Sequence, residues 1–153
     1  MQKVADANRS LIVFLVATLG GGLLIGFLTP PDAWYEALQK PSFNPPGWVF
    51  APVWTCLYIL IAIAGARAWN RDLDTPLRLW FAQLALNFIW SPIFFVAHRP
   101  DIALGVVAAL TVVNIAFIVA TWKEDRVSSM LFVPYLAWTS FATLLNFAIV
   151  RLN

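Results

Sequence analysis

Aromatic, amide and small residues fall into register on three apolar stretches of this chain. Phe50, Trp54 and Tyr58 repeat every four residues, and Trp80, Gln83, Asn87, Trp90 and Phe94 recur at intervals of three and four. Trp138, Ala142, Leu145 and Ile149 form a third stripe, with Thr139, Thr143 and Asn146 turned partly to one side. On a helix this spacing gathers side chains on one face. Rings beside amides are equipped to stack on a flat apolar molecule and to hold its polar edge by hydrogen bonds. Membrane helices also pack on one another through amides and hydroxyls, so one stripe alone reads equally as packing. Three stripes together point to a pocket lined by Phe50, Trp54, Tyr58, Asn87, Trp90, Trp138, Ala142 and Leu145. Ala142, one turn after Trp138, leaves a notch in that lining.

Acid–base and metal chemistry have little to work with. All eight acidic residues, Asp6, Asp32, Glu36, Asp72, Asp74, Asp101, Glu124 and Asp125, fall between or outside the apolar stretches. No Lys or Arg lies at the middle of one. Ion-driven transporters and proton relays usually need ionisable groups at membrane depth, and hydrolysis by general acid–base catalysis needs a placed pair. No metal site is expected. His98, in the turn HRPD, is the single histidine; it could offer an iron one nitrogen, but its place at a helix end reads as a loop residue. Cys56 has no partner for a disulfide and reads as a small buried hydrophobe.

The elements that must position these residues are membrane helices. Of 153 residues 61% are hydrophobic and 12% charged, with a mean hydropathy of +0.76, about half the charge of an ordinary soluble domain. Stretches of about 20 apolar residues span a bilayer. Five occur, at 11–28, 48–68, 79–97, 102–122 and 130–150. The expected fold is all-α: one domain over 1–153, an integral bundle of five transmembrane helices with a long, partly helical loop between the first two. Lys3 and Arg9 ahead of the first stretch have the layout of a signal peptide, but the apolar run is long for one and no small-x-small cleavage site closes it. An odd number of spans separates the termini. Lys3, Arg9, Arg67, Arg71, Arg78, Lys123 and Arg126 share the N-terminal side, against Lys40, Arg99 and Arg151 on the other. The positive-inside rule then puts the N-terminus inside, and the C-terminus and long loop outside. The small net charge of +2 is scattered, which excludes nucleic acid as a partner. Pro52, Pro92 and Pro134 lie within spans and are expected to release the carbonyls of Trp48, Phe88 and Met130 and to splay the helices. Gly22 and Gly26, preceded by Gly20 and Gly21, form a GxxxG pattern expected to contribute to a homodimer contact, with packing of helices inside the subunit as the alternative use of the same glycines.

The loop 30–46 is longer than most connections. It opens TPPD: Thr29 can cap, Pro30 suits a first helical position and Asp32 favours the helix dipole. A short helix would then place Ala33, Trp34, Ala37 and Leu38 on one face, ending before Pro41. With the rigid PSFNPPGW that follows, this reads as a lid over the outer mouth; the alternative is an interfacial anchor with Trp34 and Trp48 in the aromatic belt. Lys40, on the lid side, could meet a carboxylate of a ligand.

The segments KPSFNPPGWVFAPVWTCLY, QLALNFIWSPIFF and PYLAWTSFATLLNFAIVRLN resemble the signature segments of the TspO/MBR family, in order and spacing, over nearly the whole chain. This is the family of tryptophan-rich sensory proteins, whose mitochondrial members are called translocator protein or peripheral benzodiazepine receptor. The resemblance implies a homodimeric five-helix bundle with a pocket opening toward the first loop. It implies a receptor, sensor or carrier for porphyrins, protoporphyrin IX and haem among them, acting in tetrapyrrole transport or in stress and oxygen signalling. Porphyrin or haem is then the ligand and no cofactor is required. Sterols and isoquinoline or benzodiazepine drugs are further ligands the resemblance implies. An enzymatic alternative is light- or oxygen-dependent porphyrin breakdown with Trp54 and Trp138 as redox-active indoles. By the same resemblance the pocket tryptophans are Trp34, Trp54 and Trp138, the small residue is Ala142, and Asn87 and Trp90 belong to the third-helix element. Two positions depart from the pattern: Phe43 stands where many relatives have Trp, and Phe147 stands where the proposed sterol motif needs Tyr.

Overall fold

The structure, a computed structural model, describes residues 2–153 and side chains from residue 7 onward; the side chains of Lys3 and Asp6, which entered the charge count, lie outside the described residues. Each apolar stretch is a helix, and five are long and apolar enough to cross a membrane: Ala7–Leu28, Gly47–Asn70, Asp74–Val96, Pro100–Thr121 and Arg126–Leu152. The first is built of α1 (Gln2–Leu15), a π-helical turn (Val16–Gly20) and α2 (Gly21–Leu28). The lid helix is α3 (Ala33–Ala37); the other spans carry α4 (Phe50–Asn70), α5 (Asp74–Ser91), α6 (Pro100–Thr121) and α7 (Arg126–Leu152). The helices of the last three spans begin earlier than the apolar stretches because their first turns are more polar. Asp74 and Asp101 sit there, where the N-terminal dipole favours an anion. Around the bundle the spans follow the order first, second, fifth, fourth, third.

The half of the bundle nearest the N-terminus is tightly filled. Phe14, Leu57, Ile61, Trp80, Phe117, Phe132 and Tyr135 form its buried core. Gly65 makes this packing possible, since a Cβ there would lie 2.5 Å from both the Phe14 and Trp80 rings. The freed space lets the Trp80 indole N–H reach the Ile61 carbonyl at 2.8 Å. Beneath the outer half runs a polar chain. Tyr58 Oη donates to Asn87 Oδ1 at 3.0 Å, Asn87 Nδ2 donates to Tyr135 Oη at 2.8 Å, and Tyr135 donates to Gln83 Oε1 at 2.9 Å.

The prolines act unequally. Pro52 lies in the first turn of α4, where amide hydrogens lack helical acceptors anyway, and causes no break. Pro134 is absorbed in an unbroken α7. Only Pro92 changes the helix type, opening the π-helical turn Pro92–Val96, in which the Ala97 N–H bonds the Pro92 carbonyl at 2.9 Å. The π-turn in the first span has no proline. There the one hydrogen of the Thr18 hydroxyl is within reach of two acceptors, the Phe14 carbonyl at 3.1 Å behind it and the Tyr58 carbonyl at 3.0 Å across, the first a side-chain bond of the kind that bends helices.

At the N-terminal end Asp125, 3% exposed, accepts two bonds from Arg67 at 2.9 and 2.7 Å and one from Ser128 at 2.6 Å, with Arg71 at 3.7 Å. Burial pushes its carboxyl up, but Arg67 and Ser128 outweigh burial and hold it at about 2, below the ordinary 3.8. A depressed pKa contributes stability that is complete above the unfolded value and lost as pH falls through the folded one. In detergent the melting midpoint is therefore expected to fall as pH drops from 3.8 toward about 2. Asp125→Asn should flatten that part of the profile. Superimposable profiles for parent and variant would remove the pair from this role.

Candidate functional site

In the outer half the helices diverge and rings wall a cavity of about 550 Å³, within the range of about 300–1,000 Å³ typical of small-molecule sites. Phe50, Trp54, Tyr58, Asn87, Trp90, Trp138, Ala142 and Leu145 all line it, so the three stripes converge on one space. The second span contributes its ladder, with Trp54 and Tyr58 rings 5.3 Å apart. The fifth span turns Trp138 against it: Trp138 meets Phe50 edge-on at 5.8 Å and Trp54 at 6.5 Å and 89°. The third span supplies Trp90, stacked on Phe94 at 5.0 Å.

The indoles are not equivalent. Trp90 Nε1 donates to Asn146 Oδ1 at 3.1 Å, and Asn146 Nδ2 donates to the Pro100 carbonyl at 2.8 Å, so this ring is fixed. Trp80, though on the same stripe, is spent in the core. Among the described residues no hydrogen bond engages the indole N–H of Trp54 or Trp138, which leaves two donors beside the cavity. Tyr58 gives its one hydrogen to Asn87, so its hydroxyl has no donor left for a ligand. No lining residue is charged, and none is His, Cys or Met.

The lid covers the mouth, but not as the sequence suggested. Asp32, not Thr29, caps α3, its Oδ1 accepting the Tyr35 N–H at 3.1 Å. Thr29 turns back to donate to the Ile25 carbonyl at 2.8 Å and finishes α2 instead. This phase brings Tyr35 to the cavity wall, against Phe95 at 5.3 Å. Trp34 is corrected outward: it does not line the cavity but stacks on His98 at 4.3 Å and meets Phe94 edge-on at 5.9 Å. His98 in turn lies 3.0 Å from Asp32. The Tyr35 amide, and more weakly His98, hold Asp32 below the usual carboxylate range. His98 thus fastens the lid and does not line the cavity. Lys40 is also committed elsewhere, donating to the carbonyls of Tyr35 at 2.7 Å and Glu36 at 3.3 Å over the Tyr35 ring. At the far end of the loop Asn153 clamps Gln39, accepting its N–H at 2.9 Å and donating to its carbonyl at 3.0 Å. Phe43 reaches Phe141 at 6.3 Å, while Trp48, 75% exposed, suits the interfacial belt.

Several lining residues escaped sequence reasoning. Phe94 and Asn146 stood on the stripes without being singled out. Tyr35 and Phe141 sit one residue from positions that were, and Phe95 follows Phe94. Gly22 was assigned to a dimer face, but a Cβ there would fall within the Tyr58 ring, and one at Gly21 would lie 2.5 Å from Phe88. Gly21 and Gly22 serve contacts inside the subunit; Gly20 and Gly26 are exposed and meet no other span.

The profile of the TspO/MBR family matches residues 13–152. The tryptophan-rich sensory protein of Cereibacter sphaeroides is 41% identical over 149 residues, covering 97% of this chain and 94% of that protein. Protein CrtK of Rhodobacter capsulatus is 38% identical, covering 92% and 91%. The human translocator protein is 38% identical over 126 residues, covering 78% and 75%.

Proposed function

The chain belongs to the TspO/MBR family, and from that membership and the geometry of its cavity we propose that it is a membrane receptor, sensor or carrier whose ligand is a porphyrin. The observation that carries this reading is the uncharged cavity of about 550 Å³ walled by rings of three spans, with free indole donors at Trp54 and Trp138. A macrocycle can stack on these rings. Its carboxylates stay at the mouth, since an unpaired carboxylate is costly to bury. Protoporphyrin IX suits the lining best. Haem would be held by its faces, because the lining offers no imidazole or sulfur. Isoquinoline or benzodiazepine-like compounds fit by the same stacking. Sterol binding at the proposed motif is disfavoured by Phe147, half exposed on the lipid side. The N-terminus, Arg67, Arg71 and Arg126 are read as inside, with lid and C-terminus outside, and the working unit as a homodimer.

The test is spectroscopic. Purified protein is titrated with protoporphyrin IX in darkness, following tryptophan fluorescence and porphyrin absorbance, and then illuminated. Saturable quenching with an unchanged porphyrin spectrum is expected. Catalytic bleaching to a new product would replace the receptor reading with porphyrin breakdown through Trp54 and Trp138. No quenching would leave the cavity without this ligand.

A further inference from the structure

The first and second spans part company halfway across the bundle. In the inner half Phe14 of α1 docks into Gly65 of α4, and the last ties are the bond from Thr18 to the Tyr58 carbonyl and the seat of Gly22 on the Tyr58 ring. Beyond them no residue of α2 is buried. Yet Leu23, Gly26 and Phe27 of α2 line the cavity while being exposed, Leu23 at 70% and Phe27 at 82%. Across from them Ala51 and Thr55 of α4 also line the cavity and are exposed. Residues that face the interior and the outside at once border an opening, so the cavity has a side window between α2 and α4. The eight residues of α2 rise roughly 12 Å, which puts the window in the outer half of the bilayer. Between Leu23 and Phe27 the α2 lip is narrowest in bulk at Gly26, where a Cβ meets nothing within 4 Å, and it faces the small Ala51 and Thr55 of α4.

The aqueous mouth carries a fastened lid by comparison. Its helix α3 is held at its start by Asp32–His98 and the Trp34–His98 stack, and just past its end by the Gln39–Asn153 clamp. We propose that the ligand reaches the cavity laterally, from the hydrocarbon of the outer leaflet through the window between α2 and α4, and not past the lid. The proposal rests on the porphyrin reading and defines the ligand class further: planar amphiphiles already dissolved in the membrane, ring in the hydrocarbon and carboxylates at headgroup level. Such a molecule arrives at the depth and in the orientation the cavity accepts.

The route is tested by loading kinetics in proteoliposomes, with protoporphyrin IX delivered from phosphatidylcholine vesicles. The loading rate is expected to follow porphyrin mole fraction in the lipid, not its aqueous concentration. Gly26→Trp, and independently Ala51→Phe on the opposite lip, should slow loading and release together by tenfold or more. A lid cross-linked through Gln39→Cys and Asn153→Cys in a Cys56→Ser background should load within twofold of the uncross-linked protein. Loading abolished by the cross-link and restored on cutting it, or unchanged by both lip substitutions, would overturn the window. Unchanged loading with an altered cross-linked dimer yield in Gly26→Trp would place a second copy there instead. A parent that never quenches would sink the porphyrin reading itself, and the route with it.

Discussion

Leucine in place of Ala142 is expected to lower affinity for protoporphyrin IX roughly five- to 150-fold, with the fold intact. Ala142 lines the cavity one helical turn beyond Trp138, so a disc stacked on that indole touches its methyl. Leucine is a good helix former, and Ala142 borders open space. With the ligand present those atoms meet a rigid plane that cannot bend away. Overpacking of a filled site costs about 1–3 kcal/mol, which converts to the stated loss. Ala109→Leu is the control, on the exposed side of α6 and away from the cavity. If Ala142→Leu quenches within twofold of the parent while melting normally, the ligand does not lie against Trp138.

That expectation could be formed before the structure because an α7 stripe fixes its own azimuth. Trp138, Ala142 and Leu145 share a face by spacing alone, and the same holds for Phe50, Trp54 and Tyr58. Depth is what spacing does not encode. Trp80 and Trp90 lie on one stripe about 15 Å apart along α5, and only the surface opposite decides their fates. Gly65 admits Trp80 to the core, whereas the diverging outer half leaves Trp90 facing open space. The lid was legible as a lid but not in phase. Adjacent residues on a helix differ by about 100°, so moving the cap from Thr29 to Asp32 was enough to exchange Trp34 for Tyr35 at the wall. The hydrogen bonds that leave Trp54 and Trp138 free while fixing Trp90 join residues far apart in the chain, and no local pattern announces them. The GxxxG motif shows the same limit. It promises that something comes close, and it does not say what.

Gly22 and Tyr58 turn that last point into an experiment with a large expected effect. A side chain at Gly22 must displace the Tyr58 ring, which is held by its bond to Asn87 at 3.0 Å and flanked by Trp54 at 5.3 Å. Gly22→Leu is therefore expected to destabilise the protein by about 1–3 kcal/mol through overpacking. It should also weaken protoporphyrin IX quenching, because the displaced ring has the cavity as its free space. If the clash is the cause, removing its other half relieves it. Tyr58→Ala alone costs stability by opening a hole and orphaning Asn87 Oδ1, but it makes room for the new leucine. The double variant should then melt above the value given by adding the two single effects, with a coupling of about 0.5–3 kcal/mol, as for residues in contact. A glycine serving a dimer face instead would predict additive melting shifts and a lower cross-linked dimer yield that Tyr58→Ala does not restore. Additivity together with that lost yield would move Gly22 back to the surface between subunits. Rescue by Tyr58→Ala would fix it as the residue that lets the first span close on the second, immediately below the point where the two separate around the cavity.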